Sequence, residues 1–440
     1  MIVAVGTLMA GINFSIISGW FPTVVIIVAI AATVLAIGWT DRAWRLQLLV
    51  GIPVSLILTA LVGVAVHVFD LVPAAFPRYF YVWTWLFLFS LVVAVLGWRQ
   101  AHWAQRGISV VAMVFTFVAA FTVVNQTYDY WPTLDRLLGK EAAHLVDLPE
   151  LNAIRAQVRA TGHLPDHGDT IVVHVPPTRS KFDAQDAYVW LPPAWFKSPE
   201  PALPVIELIA GVPGSPSDWT RAAYADTTST DFAEHHDGLS PILVMPDANG
   251  NAVDTECDNS HLGQAETYLS VDVPAFMRAE FNAATGRHSL AVGGLSAGGT
   301  CSVVLALRNP TIYTAFSDFS GQAHQTFYVD DRAQTIHDLF EGSLSAYLAH
   351  DPPTLLKARQ YPTVGWFSSG LEDPGLGDAR QLAALARDSL AQTCFVSTTG
   401  GHDYAYWEVA FRQALPWLSW HLGLTAPPSS SPAHCEPPIP

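Results

Sequence analysis

Ser289-Leu290-Ala291-Val292-Gly293-Gly294-Leu295-Ser296-Ala297-Gly298-Gly299-Thr300 decides the reading of this chain. An apolar run, Ser289–Gly293, leads into Gly294-Leu295-Ser296-Ala297-Gly298, and a helical pattern, Gly299–Arg308, comes next. A G-x-S-x-G motif in the context of strand, sharp turn and helix holds its serine in a strained backbone conformation. The flanking glycines remove side chains that would collide in such a turn. The serine hydroxyl then stands at a helix N-terminus, where the dipole favours developing negative charge. Ser296 is therefore the expected nucleophile.

Outward from this motif, short apolar runs alternate with helical stretches. Thr170–Val175 and Ala187–Leu191 read as an antiparallel pair at a sheet edge. Val205–Ala210, Pro241–Pro246, Ala315–Ser320, Thr363–Ser369 and Thr393–Ser397 read as further strands. Helical patterns cover Leu148–Ala160, Val271–Asn282, Gly377–Ala391 and Ala405–Leu422. This alternation predicts an α/β domain, a mostly parallel sheet with helices on both faces.

A serine alcohol needs a base, and in this kind of fold the chain order is serine, acid, histidine. Of the downstream histidines, His402 sits in Gly400-Gly401-His402-Asp403, directly after a strand and before the last helix. That places it at the carboxyl end of the sheet, with Ser296. His421 falls inside the final helix and reads as structural. The acid comes after Thr363–Ser369, in Gly370-Leu371-Glu372-Asp373. Asp373 is favoured, three residues past Gly370, and Glu372 is the alternative. For the oxyanion, the backbone N–H groups of Ala297 and Val212 are expected. Val212 comes from Gly211-Val212-Pro213-Gly214, where Pro213 has no N–H to give.

Composition separates a second region. Of the 440 residues, 50% are hydrophobic and only 14% charged, against about 25% charged in an ordinary soluble domain. Residues 1–125 hold five arginines (Arg42, Arg45, Arg78, Arg99, Arg106) and two acids (Asp41, Asp70), a net +3. The remainder is −19, which excludes a basic nucleic-acid-binding surface. Four uncharged stretches, Trp20–Gly38, Leu46–Val66, Tyr79–Gly97 and Gly107–Val124, are near the length needed to cross a bilayer as helix. Ile2–Ile17 is a poorer apolar segment and a candidate fifth span. The basic loops Asp41–Arg45 and Arg99–Arg106 are expected on the cytoplasmic side, with everything after Val124 outside. The spans carry no interior charge, so they read as an anchor rather than a transport path.

The expected organisation is a four-helix transmembrane anchor (1–125), a connector (126–168), the α/β domain (169–424) and a Pro/Ser-rich tail (425–440). Four cysteines, all after residue 125, suit an oxidising compartment. Cys257–Cys301 and Cys394–Cys435 is the favoured pairing of three possibilities. No Cys-x-x-Cys or Cys/His pair has zinc-ligand spacing, so no metal and no cofactor are expected. Asp247, Asp254, Glu256 and Asp258 lie on the loop after Pro241–Pro246. They read either as solvated loop acids or as a partner for a cationic acyl group.

The stretch from about 204 to 422 resembles the esterase D-type esterases, an α/β-hydrolase family related to the mycobacterial mycolyltransferases. The matching pieces are Ile209-Ala210-Gly211 with Trp219, Val244-Met245-Pro246-Asp247, Gly293 to Gly299, and Gly400-Gly401-His402 with Tyr406-Trp407 after it. The spans before such a domain resemble membrane-anchored esterases of actinobacteria. The mycolyltransferases take their acid from a glutamate further along, whereas Gly370-x-x-Asp373 is similar to the esterase branch. The resemblance implies a serine esterase acting on lipid or cell-envelope esters at the outer membrane face. Its bilayer and its ester substrate are the expected partners. An acyltransferase moving the acyl group to a sugar or lipid hydroxyl, and a non-catalytic surface protein, are the alternatives.

Overall fold

The computed structural model describes residues 13–37, 39, 43–68, 78–99, 101–139, 143–252, 254–327 and 331–428. The chain divides into two compact units, Met1–Glu141 and Ala142–Pro440. Residues expected as a connector are thereby shared between the two. Most of Ile2–Ile17, the tail beyond 428 and Cys435 lie outside the described residues.

Among the described residues, the long helices of the first unit are α1 (Trp20–Ala36), α2 (Ala43–Val68), α3 (Arg78–Gly97) and α4 (Trp103–Tyr128). Three of them, α2 to α4, are long and apolar enough to cross a membrane, over Gln47–Val66, Tyr79–Gly97 and Trp103–Tyr128. The fourth expected span, Trp20–Gly38, corresponds to a helix of 17 residues. Polarity in this unit is inverted. Leu49, Ile57, Val95 and Phe117 face outward. Thr33, Gln47, Ser55, Ser90, Ser109 and Thr116 are buried. The buried groups bond across helices or back along their own. Thr33 and Ser90 hydroxyls meet at 3.0 Å, Trp85 Nε1 donates to Ser55 Oγ at 2.9 Å, and Gln47 Nε2 donates to the Val93 carbonyl at 3.1 Å. Helix α1 lies along α4 through Val25, Ala29 and Ala119, small residues that let two backbones approach.

The second unit carries one nine-stranded sheet. Its strands are β1 (Leu145–Val146), β2 (Asp169–Val173), β3 (Ala187–Leu191), β4 (Val205–Ile209), β5 (Ile242–Met245), β8 (Leu290–Leu295), β9 (Ala315–Phe319), β10 (Tyr361–Ser368) and β11 (Leu390–Val396). A separate hairpin, β6 (Asn259–Ser260) and β7 (Gly263–Gln264), lies in the loop after β5. The order across the sheet is β1-β2-β3-β5-β4-β8-β9-β10-β11. Only β3 runs against its neighbours β2 and β5; the other pairings are parallel. The expected edge pair is present, and β1 adds a further parallel strand outside it. The central strands are buried along their whole length, as a sheet covered on both faces requires.

The helices of this unit include α5 (Leu148–Thr161), α6 (Ala297–Arg308), α7 (Leu376–Ala386) and α8 (Tyr404–His421). Helix α7 stops at Ala386, where the sequence pattern predicts Ala391. The chain instead turns and begins β11 at Leu390, so Leu390 serves the sheet rather than the helix. A disulfide joins Cys257, in the loop after β5, to Cys301 on α6.

The core also holds acids. Glu207, in the middle of β4, is fully buried and accepts a hydrogen bond from the Tyr313 hydroxyl at 3.1 Å. Burial pushes its carboxyl up to about 8, against the lowering effect of Tyr313. Burial likewise raises Asp318, at the end of β9, to about 7. Between their unfolded and folded values, such acids hold a proton in the native state that the unfolded chain releases. Stability therefore falls as pH rises through this window, by on the order of 1 kcal/mol per pH unit for each acid. Half-buried His421, lowered to about 4 by burial and by nearby His288, acts in the opposite sense, but only below its unfolded value near 6.5. Thermal unfolding of the full chain in detergent is expected to show a falling midpoint from pH 6.5 to 8, with a shallower fall in Glu207→Gln. A flat or rising midpoint, unaltered in the variant, would contradict the assignment.

Candidate active site

The carboxyl ends of β4, β8, β9, β10 and β11 bring five loops to one edge of the sheet. Ser296 comes directly after β8 and caps α6 with φ 55° and ψ −125°, a region an L-residue occupies only at a cost. The strain is held by tertiary contacts. The Ser296 N–H donates to the Phe319 carbonyl at 2.8 Å. A Cβ on Gly294 would lie 1.9 Å from the Gly298 carbonyl oxygen. A Cβ on Gly298 would lie 2.3 Å from the Ile209 carbonyl oxygen. Only glycine at both positions lets the start of α6 settle across the ends of β4 and β8.

His402 arrives from the loop after β11. Its Nε2 is 2.9 Å from Ser296 Oγ, and its Nδ1 is 3.1 Å and 3.2 Å from the two carboxylate oxygens of Asp373. The Asp373 side chain is fully buried, whereas His402 is about one-third exposed at 35%. Burial by itself would raise the Asp373 carboxyl. Hydrogen bonds from His402, Ser320 and the Gly375 N–H, with the field of the imidazole, outweigh it and hold the carboxyl below its ordinary value.

Glu372, the alternative acid, points elsewhere. Its Oε2 accepts from the Gly400 N–H at 2.7 Å, and its own N–H donates to the Gly400 carbonyl at 3.0 Å. It fastens the histidine loop to the acid loop. Asp403 caps α8 by accepting from the Tyr406 N–H at 2.8 Å.

Of the two expected oxyanion donors, one adjoins Ser296 in the chain and the other adjoins Gly211. Ala297 is the first residue of α6, where N–H groups have no partner within the helix. Val212 lies in the loop after β4. Its neighbour Gly211 runs so close to Ser296 that a Cβ there would stand 3.1 Å from the serine Cβ.

Three further residues help to position the site, and of these only Trp407 lies in a stretch the sequence motifs included. Asp218 accepts from the Ser215 N–H at 2.9 Å and from the Tyr404 hydroxyl at 3.3 Å. It thus ties the Val212 loop to the first turn of α8. Ser320 receives the Trp407 indole N–H at 3.1 Å and bonds Asp373 in turn. Trp407 also sets its ring edge-on to the His402 imidazole, 5.0 Å between centroids. For Ser320 a signal existed, since it stands just after β9 at the carboxyl edge of the sheet. For Asp218 none did, because Tyr404 is distant in sequence.

The loop after β5 differs from a solvated turn. Asp254, Glu256 and Asp258 are buried. Asp254 accepts from the Glu256 N–H at 2.8 Å, Glu256 from the Thr326 N–H at 3.1 Å, and Asp258 from Gln325 Nε2 at 2.9 Å. Burial raises the carboxyls of all three. Asp247 also turns inward, accepting from the N–H groups of Gln185, Asn249 and Gly250. These acids fold the loop.

Comparison with known proteins agrees with the fold. The family model described as "Putative esterase" matches residues 184–418, more than half of the chain. An uncharacterized protein of Corynebacterium glutamicum is 30% identical over 419 residues, covering 91% of this chain and 96% of that protein. Among solved structures, a ferulic acid esterase superposes with a TM-score of 0.50 at 16% identity, covering 58% of this chain and 98% of its own. An S-formylglutathione hydrolase from Agrobacterium tumefaciens gives 0.50 at 17% identity, covering 59% and 98%.

The geometry predicts unequal consequences for two adjacent carboxylates. Asp373→Asn is expected to lower kcat for a p-nitrophenyl ester by on the order of 10⁴. Glu372→Gln, which weakens only a loop fastening, is expected to stay within about tenfold of the wild type. Steady-state kinetics of the two variants checks this; a large loss in Glu372→Gln with a small one in Asp373→Asn would give the acid role to Glu372.

Proposed function

The chain belongs to the "Putative esterase" family, and on that premise we propose that it is a membrane-anchored serine esterase. Ser296, His402 and Asp373 form its catalytic triad, and its domain works outside the cytoplasm. The observation that carries this reading is the continuous hydrogen-bonded series from Ser296 Oγ through His402 to buried Asp373. Ser296 Oγ attacks the ester carbonyl while His402 Nε2 takes its proton. Asp373 fixes the imidazole tautomer and stabilises the imidazolium. The oxyanion is held by the N–H groups of Ala297 and Val212. His402 then protonates the departing alcohol, leaving an acyl-enzyme on Ser296. Water, activated by His402, releases the acid.

The anchor rests on inverted polarity in the first unit, with apolar side chains outward and hydroxyl and amide groups inward. That arrangement suits hydrocarbon around the helices and not water. Helix α1, 17 residues long, rises about 25 Å. It serves as the fourth span where the bilayer thins locally to meet it. Arginines in the α1–α2 and α3–α4 connections favour their placement in the cytoplasm, with the second unit outside. The Cys257–Cys301 disulfide suits that side. Ester-bearing lipids or envelope components at the outer face are the substrates this placement supplies.

A fluorophosphonate probe is expected to label the wild-type chain and to leave Ser296→Ala unlabelled. His402→Ala is expected to reduce ester turnover by on the order of 10⁴. Equal labelling of wild type and Ser296→Ala would remove the basis of the reading. Product analysis with and without a sugar acceptor separates hydrolysis from acyl transfer: free acid in both cases marks an esterase.

A further inference from the structure

At the far edge of the sheet from Ser296, two imidazoles converge on one buried carboxylate. The short strand β1 pairs in parallel with β2, Leu145 opposite Thr170, and the Thr170 N–H donates to the His144 carbonyl at 2.9 Å. This register sets His144 beside Asp169, the first residue of β2. His167 precedes Asp169 by two positions, and the intervening Gly168 lies flat on the Trp190 ring, where a Cβ would be 2.3 Å from the indole. The loop is thereby held down with His167 next to His144, their ring centroids 4.9 Å apart.

The distances are those of a ligand set. His144 Nδ1 is 2.7 Å and His167 Nδ1 is 3.8 Å from Asp169 Oδ1. One ligand atom from each of the three residues falls within 4.8 Å of the others. Ligands at about 2.05 Å around a tetrahedral zinc stand about 3.3 Å from one another, and the two separations bracket that value. The imidazoles, 55% and 51% exposed, have room for the small rotation that would equalise them. Asp169 is 1% exposed, and its Oδ2 has no hydrogen-bond partner. A buried carboxylate oxygen left unpaired is costly. The imidazoles already meet Oδ1, and a cation bound by both carboxylate oxygens would offset the cost at Oδ2.

We propose that His144, His167 and Asp169 form a zinc site. Two imidazoles and one carboxylate select zinc over calcium or magnesium, which take all-oxygen shells. Three protein ligands leave the fourth position to water. Between β2 and the nucleophile strand β8 stand β3, β5 and β4, so this metal does not touch the reacting ester. It clamps a two-residue strand and the 163–168 loop to the sheet. Cysteine spacings in the sequence give no hint of it. The pairing of β1 with β2, not sequence proximity, brings His144 in.

Zinc chloride titrated calorimetrically into the full chain in detergent, after chelator treatment and desalting, tests the site. One zinc per chain is expected, with a thermal midpoint raised by the metal. Acid should weaken binding, since protons compete with a metal for its ligands. His144→Ala and His167→Ala are each expected to weaken binding by at least about tenfold and to lose the thermal shift. Fluorophosphonate labelling of Ser296 should be unchanged in both, which shows that they fold. Cobalt(II) in place of zinc should give the visible absorption of a tetrahedral centre in wild type only. No saturable zinc binding, or binding as tight in both variants as in wild type, would overturn the proposal.

Discussion

The active edge of the second unit depends on one close approach. The first turn of α6 lies on the ends of β4 and β8, with Gly294 and Gly298 at distances no side chain could tolerate. That contact forces the positive φ of Ser296 and points its hydroxyl out of the sheet. Every other component is referred to this point. Gly211 runs beside Ser296, His402 reaches it from β11, and Asp373 reaches His402 from β10. Fastenings between the loops keep the frame: Asp218 between the loop after β4 and α8, Glu372 between the Asp373 and His402 loops, Ser320 between Trp407 and Asp373. Preorganisation of this kind removes the need for rearrangement when charge develops.

Much of this was legible in the sequence because the chemistry sits at strand ends. Each functional residue stands just after an apolar run, in a glycine-bearing loop, so the strand pattern locates it. What stayed hidden is tertiary. Strand β1 has only Leu145 and Val146, too short for any period to register. Glu207 and Asp318 sit inside strands otherwise read from their apolar neighbours, and only burial reveals their consequence. Asp254, Glu256 and Asp258 look like solvated acids in sequence, yet they are buried, and partners near residue 325 bond Glu256 and Asp258 inward. Spacing from Gly370 favours Asp373 and leaves Glu372 as an alternative; the directions of their side chains part them. The end of α7 was misplaced for a related reason, since Leu390 satisfies a helical stripe and a strand equally well.

The two units obey opposite rules of polarity, and each rule explains its own interior. In the first, Thr33, Ser90 and Ser55 turn inward and find their partners inside the unit, the arrangement that hydrocarbon surroundings would impose. In the second, the parallel strands are buried on both faces and bring even a few acids with them. Averaged over the chain, these rules yield a composition that describes neither unit.

The bond between Cys257 and Cys301 has a consequence for how the second unit is tied together. Its two cysteines belong to different strand-loop-helix units, β5 with its loop and β8 with α6, 44 residues apart. In the sheet those strands are not neighbours, for β4 lies between them. The bond therefore spans two units that no backbone ladder joins directly. It tethers the loop of buried acids to the helix that begins beside Ser296, so that loop cannot swing away without carrying α6 along.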